Sequence, residues 1–291
     1  MTESNGERLG VRKMYKLYIG GDFVRSESGR SDPYGSGEDL ANVARASRKD
    51  LRDAVQAARG AFAGWSDRTP YNRGQILYRL AEMLEGRSAQ FMARLREEMG
   101  LDKSAARAEV AAAIDRTVWY AGWCDKYAAL LSTRNPVGGP HFNFSSVEPM
   151  GVVTLVAPDA PALLGFVSVV LPPLVAGNTV IALTSQTDPR TALVFAEAVA
   201  TSDLPKGVLN ILSGPREELV KNAARHMDIN AMELTSNDAA LATEMQRLGA
   251  DNLKRTSVRS AKTDWFADEA QSLDAIAKFV ELKTIWHPAG V

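Results

Sequence analysis

The chain has 291 residues, of which 45% are hydrophobic and 24% charged, and its formal net charge is -1. That length allows one large α/β domain or two smaller ones, and the composition is typical of a soluble globular protein. Because charges of both signs are spread along the chain, we predict neither nucleic acid nor a membrane surface as a partner. Residues 1–12 are polar and lack the apolar core of a secretory signal, which predicts a cytoplasmic location.

One cysteine and three histidines leave little scope for a disulfide or a metal site. A single thiol cannot form an internal disulfide, and the spacing of these residues fits no zinc motif, so we predict no metal. Residues 160–187 carry no charge and form a stretch long enough to suggest a membrane span. Three prolines, Pro161, Pro172 and Pro173, interrupt the stretch, which predicts a buried strand–helix–strand unit instead.

The first part of the chain predicts a hairpin followed by helices. Two adjacent glycines separate short apolar runs within residues 16–24, a pattern typical of a β-hairpin. A capping box over residues 47–50 predicts the start of a helix that ends before Pro70. Two further helices are predicted, over residues 73–85 and over the alanine-rich residues 102–131.

From residue 151 onward, short β-branched runs alternate with segments of helical length. This alternation predicts an α/β fold with a Rossmann-like, five-stranded parallel sheet. The predicted strands are residues 152–156, 179–183, 208–212, 231–235 and 254–258.

Six short motifs are spaced along the whole chain. They read Tyr18-Ile-Gly-Gly-Asp-Phe-Val, Ala54-Val-Gln-Ala-Ala-Arg-Gly-Ala-Phe, Glu148-Pro-Met-Gly-Val-Val, Ala176-Gly-Asn-Thr-Val, Leu204-Pro-Lys-Gly-Val-Leu-Asn and Asn252-Leu-Lys-Arg. Each motif is weak alone, but their order and spacing together resemble the aldehyde dehydrogenase superfamily.

The resemblance implies four parts. Residues 1–131 would be the N-terminal helical part of the nucleotide-binding domain, and residues 132–150 an oligomerisation arm. Residues 151–268 would hold the Rossmann-like sheet. Residues 269–291 would add a helix and an oligomerisation strand.

The positions that perform catalysis in this family have changed. Aldehyde oxidation needs a nucleophilic thiolate, a donor to the oxyanion and a carboxylate that activates water. The family's Pro-Trp-Asn, whose Asn is the donor, corresponds to Pro158-Asp159-Ala160, and a methyl group cannot donate. Counting without gaps places the general-base Glu at Arg259, which cannot accept a proton at neutral pH. We therefore predict no catalytic residue.

The family's cysteine-bearing catalytic domain has no counterpart in the short segment between Arg259 and residues 281–286, which resemble the family's last strand. Cys124 lies in a predicted helix with no histidine nearby, and we interpret it as a buried structural cysteine, since reactive thiols need an accessible, electropositive setting. The resemblance thus implies a truncated, non-catalytic member. The degenerate second module of tandem, two-module aldehyde dehydrogenases is a looser likeness.

The positions that hold NAD in the family are also degenerate. The family's Lys and Glu after the second strand correspond to Leu183 and Gln186. Arg216 and Val220 stand at two of the three glycines of the Gly-rich turn, where side chains block close approach of the backbone. The vestigial cofactor positions are Pro158, Leu183, Gln186, Gly214, Arg216, Thr235, Ser236 and Asn237.

Two interpretations of this crevice compete. In one, Arg216 is a new phosphate ligand and the helix that begins near Asn237 still binds a nucleotide weakly. In the other, Arg216 is a solvated loop charge and Asn237 an ordinary N-cap. We favour the second and predict no cofactor, with NAD(P) as the ligand if the vestigial site still binds.

Because the pattern of strands and helices is retained but the catalytic residues are not, we predict a catalytically inactive, aldehyde-dehydrogenase-like pseudoenzyme. It would be a structural or regulatory subunit in a hetero-oligomer with a full-length aldehyde dehydrogenase. Residues 141–147 and 282–286 would add to the partner's sheet. The alternatives are an NAD(P)-dependent aldehyde dehydrogenase activity completed by a partner subunit, and a small-molecule-binding module that uses the degenerate cleft.

Overall fold

The computed structural model describes residues 11–289, so most of the segment that predicts a cytoplasmic location lies outside the described residues. Its strands are β1 (Met14–Tyr15), β2 (Leu17–Ile19), β3 (Asp22–Val24), β4 (Ser31–Tyr34), β5 (Ala41–Ala44), β6 (Thr133–Asn135), β7 (His141–Pro149), β8 (Val152–Val156), β9 (Thr179–Leu183), β10 (Leu209–Leu212), β11 (Ala231–Thr235), β12 (Arg255–Arg259) and β13 (Val280–Pro288). Its α-helices are α1 (Arg48–Ser66), α2 (Pro70–Glu85), α3 (Ser88–Met99), α4 (Lys103–Trp123), α5 (Tyr127–Leu131), α6 (Leu164–Val175), α7 (Pro189–Val199), α8 (Arg216–Arg225), α9 (Ala239–Gly249) and α10 (Leu273–Ala277).

The main sheet has the strand order β12-β11-β8-β9-β10-β2-β3. Strands β8 to β12 lie at the predicted positions within one residue and run parallel to one another. Strand β2 pairs antiparallel with β10, where Ile211 lies opposite Tyr18, and β3 completes the N-terminal hairpin. The sheet is therefore seven-stranded and mixed, and larger than predicted, because the hairpin adds to its edge.

Helices cover both faces of this sheet. Apolar side chains of α1, α8 and α9 form one buried cluster, and those of α2, α4, α6 and α7 form the other. The chain crosses from β10 on one side of β8 to β11 on the other side. In doubly wound sheets of this kind, ligands bind at the carboxyl ends of the strands, next to such a reversal.

The capping box at the start of α1 is confirmed. Ser47 Oγ accepts from the backbone nitrogens of Lys49 and Asp50, and the Asp50 carboxylate accepts from the backbone nitrogen of Ser47 at 2.7 Å. The helix boundaries farther along the chain differ from the prediction in two places. No helix was predicted where α3 lies, and α3 ends at Gly100, which adopts a φ of 66°. The helix predicted over residues 102–131 ends at Trp123 and is followed by the separate helix α5.

Residues 160–187 contain α6 and β9, in which every residue is buried. The prediction of a buried strand–helix–strand unit is confirmed. Among residues 11–289, none of the helices combines the length and apolar character needed to cross a membrane.

The arm is a three-stranded antiparallel sheet in the order β13-β7-β6. Strand β13 pairs with β7 over its whole length, from Val280 opposite Pro149 to Pro288 opposite His141. The two strands predicted for oligomerisation therefore pair with each other within one chain. A third small sheet, β1-β5-β4, was not predicted.

The segment between β12 and β13 folds back onto α4 and α6. Trp265 is 1% exposed, and Ile276 and Phe279 join the same buried cluster as α4 and α6. Arg116 on α4 donates to the carbonyl of Trp265 at 2.8 Å and to Ser168 Oγ on α6 at 2.6 Å. This short segment therefore covers one end of the sheet face on which Glu233 lies.

Candidate functional site

The loop after β8 carries the predicted oxyanion-donor position. Ala160 is exposed there, and its side chain offers no hydrogen-bond donor. Pro158, two residues before Ala160, packs closely on α6, since a Cβ added at Gly165 would lie 2.4 Å from its ring. The backbone nitrogens of Leu163 and Leu164, at the start of α6, donate to the carboxylate of Glu109 at 2.7 and 3.3 Å.

Arg259, at the end of β12, forms an ion pair with a buried glutamate. Its Nε lies 3.1 Å from Oε1 of Glu233, which is 1% exposed, and its guanidinium lies over the ring of Trp265. Lys278 Nζ lies 3.2 Å from the other carboxylate oxygen of Glu233. Burial acts to raise the pKa of Glu233, but Arg259 and Lys278 outweigh it and the pKa is lowered. The residue at the general-base position is thus a guanidinium held in a structural ion pair.

A second ion pair lies across the crevice that the sequence predicts to be a vestigial cofactor site. Arg216 Nη2 lies 2.6 Å from Asp159 Oδ1, and Nη1 lies 3.0 Å from Oδ2. The Arg216 side chain is 15% exposed, and Nη2 also donates to the carbonyl of Ala157 at 3.4 Å. In this bidentate geometry Asp159 binds Nη1 and Nη2, two of the guanidinium nitrogens with which an arginine binds a phosphate.

Gln186 and Ser185 extend this network. The Gln186 backbone nitrogen donates to Asp159 Oδ1 at 2.8 Å, and Ser185 Oγ donates to the same oxygen at 3.2 Å. The Gln186 side chain donates to the carbonyl of Gly214 at 2.8 Å and accepts from the backbone nitrogen of Arg216 at 3.3 Å. Burial acts to raise the pKa of Asp159, but donors led by Arg216 outweigh it and the pKa is lowered.

The interpretation of Arg216 as a solvated loop charge was wrong, because its side chain is 15% exposed and pairs with Asp159 within the crevice. The interpretation of Arg216 as a phosphate ligand stays a prediction. Leu183 is buried in β9 and contributes only an apolar side chain at the position of the family's lysine.

The start of α9 also differs from the prediction. The N-cap is Asp238, whose side chain accepts from the backbone nitrogen of Leu241 at 3.0 Å. Asn237 instead accepts from the backbone nitrogen of Ala261 at 3.1 Å and from Ser260 Oγ at 3.2 Å. Asn237 was predicted as the N-cap, and this was wrong because its side chain ties the loop after β11 to the loop after β12. Thr235 is buried, while Ser236 Oγ accepts from the backbone nitrogen of Asp238.

Acidic side chains occupy three helix N-termini at this edge of the sheet. Glu109 accepts from the first turn of α6, Asp188 from that of α7 and Asp238 from that of α9. Free backbone donors at such termini attract anions, and here the chain's own carboxylates take that place. Burial raises the pKa values of Glu109 and Asp188, although their backbone donors oppose it.

Sequence reasoning missed the roles of Asp159, Glu109, Glu233 and Asp238. One signal was present in the sequence. Two family motifs had each gained a charge, Asp159 in the first and Arg216 in the other, and the two charges are opposite. Opposite charges gained at two loops of one sheet edge indicate an ion pair between them.

Cys124 lies at the end of α4 and is 1% exposed. Burial raises its pKa to about 12, and its thiol contacts the carbonyl of Tyr120 at 3.9 Å. The environment is that of a structural cysteine. Within residues 11–289, no group of three or more His, Cys, Asp or Glu side chains is arranged to hold a metal ion.

A doubly wound sheet with a polar crevice at its carboxyl edge defines the class of nucleotide-binding α/β domains. The model of the aldehyde dehydrogenase family matches residues 23–280, and the chain belongs to this family.

Three relatives show how much of the family's architecture the chain covers. It is 31% identical over 274 residues to the mitochondrial benzaldehyde dehydrogenase of Antirrhinum majus, across 92% of this chain and 50% of that protein. The solved structure of HpcC from Thermus thermophilus matches with a TM-score of 0.79 at 28% identity, across 84% of this chain and 48% of that one. PnpE, solved in complex with NAD, matches with a TM-score of 0.79 at 27% identity, across 84% of this chain and 50% of PnpE. The chain thus spans about half the length of these relatives.

Proposed function

We propose that this chain is a non-catalytic member of the aldehyde dehydrogenase family that acts as a structural or regulatory subunit beside a full-length homologue. The observation that carries the proposal is the ion pair between Asp159 and Arg216, which fills the cofactor crevice with the chain's own side chains. The catalytic positions support the same conclusion.

Those positions cannot perform the family's chemistry. Ala160 supplies no donor to an oxyanion, and removal of one such donor typically costs about 10²- to 10³-fold in rate. Arg259 carries a permanent positive charge and is bonded to Glu233, so it cannot activate water. The single thiol of the chain, Cys124, is buried and has a pKa of about 12, so it is a poor nucleophile.

The residues of the crevice do not fit NAD, although a solved relative binds it. A pyrophosphate would need the guanidinium of Arg216, which Asp159 holds at 2.6 Å. It would also meet the carboxylate of Asp238 at the start of α9. Binding would therefore require breaking an ion pair and placing like charges together, at a cost that the lost family contacts do not offset.

The arm sheet supports association with a partner. Among residues 11–289, no strand pairs with the outer edge of β13. Three large apolar side chains of the arm sheet are exposed: Leu282 by 64% and Trp286 by 61% on β13, and Phe142 by 40% on β7. Free edges with exposed apolar side chains are sites where another sheet adds. We propose that the partner's sheet pairs along β13.

Co-expression with a full-length homologue, followed by size-exclusion chromatography with light scattering, tests this proposal. We expect a stable heteromer that is lost in the double variant Leu282→Asp/Trp286→Asp. Leu253→Asp is the matched control, because Leu253 is 94% exposed but lies outside the arm, and it should leave the heteromer intact. A lone chain that remains monodisperse and never associates with the homologue would contradict the proposal.

A further inference from the structure

A groove of about 680 Å³ lies between α1 and α8, on the face of the sheet opposite to α4 and α6. Arg48 and Arg52 are four residues apart on α1, and Asn222 and Arg225 are three residues apart on α8. Residues at these spacings share one helix face, and all four side chains line the groove. None of them belongs to the cofactor crevice or to the arm.

The charges around this groove are unbalanced. Two of its lining residues are acidic, Glu27 and Glu218. Four are basic: the three arginines named above and Lys49. Lys49 is paired with Glu27 at 3.3 Å and Arg52 with Asp53 at 3.0 Å. Within residues 11–289, Arg48 and Arg225 have no carboxylate partner. The chain as a whole carries a net charge of -1, so this excess of positive charge is local.

A half-buried histidine lies at the same groove. Burial lowers the pKa of His226; Asp228 opposes this, while Lys254 and Arg48 lower the pKa further. Like charges that face one another across a cavity repel, and a bound anion relieves that repulsion. Arginine binds phosphate oxygens through two parallel N–H donors, and Asn222 can add a neutral donor beside them.

We propose that the groove between α1 and α8 binds a diphosphate-bearing small molecule, with Arg48 and Arg225 as the principal ligands. The volume lies within the range of small-molecule sites in proteins. The inference is independent of the proposed subunit role, since the groove is separate from both the crevice and the arm.

Calorimetric titration of the intact chain with inorganic pyrophosphate tests the site. We expect saturable binding that weakens by about tenfold or more in Arg48→Gln/Arg225→Gln, because two charge-assisted contacts are lost. The control Arg79→Gln/Arg247→Gln removes the same charge from two exposed helical ion pairs elsewhere and should bind as tightly as the parent chain. Thermal unfolding of all three proteins confirms that the variants are folded.

Two results would overturn the proposal. One is the absence of saturation at about 10 mM pyrophosphate, which is weaker than any specific site of this kind. The other is an equal loss of affinity in both double variants, which would show that only net charge matters. If NAD binds the chain weakly, the same variants show whether its diphosphate occupies this groove or the crevice.

Discussion

Arg216 and Asp159 form a two-pronged ion pair, with N–O distances of 2.6 and 3.0 Å, across the crevice that the family resemblance predicts to be the cofactor site. Each residue stands in a motif that departs from the family's pattern. The pair links the loop after β8 to the start of α8.

Asp159→Asn should lower the free energy of unfolding by about 1 kcal/mol, because Arg216 loses a charged partner that is partly exposed. The expected decrease in Tm is about 2–4 °C. Glu217→Gln is the control, since it removes an exposed ion pair with Lys221 on the same helix and should change stability by less than about 0.5 kcal/mol. Urea denaturation measures both variants, and equal effects would contradict a special role for the crevice pair.

Arg259→Glu restores a carboxylate at the general-base position, but we expect no aldehyde oxidation and a less stable protein. The new carboxylate would face buried Glu233, which would then keep only Lys278 as an ionic partner. Breaking a buried ion pair in this way costs about 3 kcal/mol. Arg259→Lys keeps the charge and should cost less. A gain of dehydrogenase activity in Arg259→Glu would refute the assignment of Arg259 to a purely structural role.

Cys124 should resist thiol reagents in the folded protein. Its pKa of about 12 and its exposure of 1% leave almost no accessible thiolate at pH 8. We expect full labelling by a disulfide-exchange reagent in guanidinium chloride and labelling at least about 100-fold slower without denaturant. Stoichiometric reaction of the native protein within minutes would show that the thiol is exposed.

Lys254 should make the protein more stable as the pH rises above 8. Burial lowers its pKa from 10.5 to about 8, and its ammonium group contacts the carbonyls of His226 and Ile229. Between these two values the unfolded chain binds the proton and the folded chain releases it, so this contribution to stability increases with pH. This contribution to the free energy of unfolding is complete above 10.5, the pKa of Lys254 in the unfolded chain. It disappears as the pH falls through 8, its pKa in the folded chain.

Urea denaturation at pH 7.5 and pH 9.5 isolates this contribution. The rise in unfolding free energy with pH should be steeper in the parent chain than in Lys254→Met, by up to about 1 kcal/mol per pH unit. Lys206→Met is the control, because Lys206 is exposed, and it should leave the slope unchanged. Identical slopes in all three proteins would show that Lys254 titrates normally.

NAD should show no micromolar binding to the intact chain by calorimetry, because Arg216 is engaged by Asp159 and Leu183 supplies no charge. A full-length family member titrated in parallel verifies the cofactor and the conditions. A dissociation constant in the micromolar range for this chain, unchanged in Arg48→Gln/Arg225→Gln, would place NAD in the crevice and contradict the proposed loss of the cofactor site.

Much of the architecture could be predicted from residue patterns alone. The five parallel strands, the hairpin at Gly20 and Gly21 and the start of α1 at Ser47 follow from local signals, namely β-branched runs, glycines at a turn and a capping box. Helix α3 was not predicted, although Gly100, whose left-handed backbone ends it, is a local signal of a helix terminus.

Sequence by itself determined which side chains stand at the positions that the family resemblance assigns to catalysis and cofactor binding: a methyl group at Ala160, a guanidinium at Arg259 and an apolar side chain at Leu183. Only the tertiary structure decided which partners the charged residues of the site bind. Asp159 and Arg216 are 57 residues apart, and Glu233 and Arg259 stand on different strands. The opposite charges gained at Asp159 and Arg216 were a signal of their pairing, but only the folded structure gives the distances and the burial of both pairs. Ion pairs depend on distance and burial, and both are set only when the strands and helices assemble.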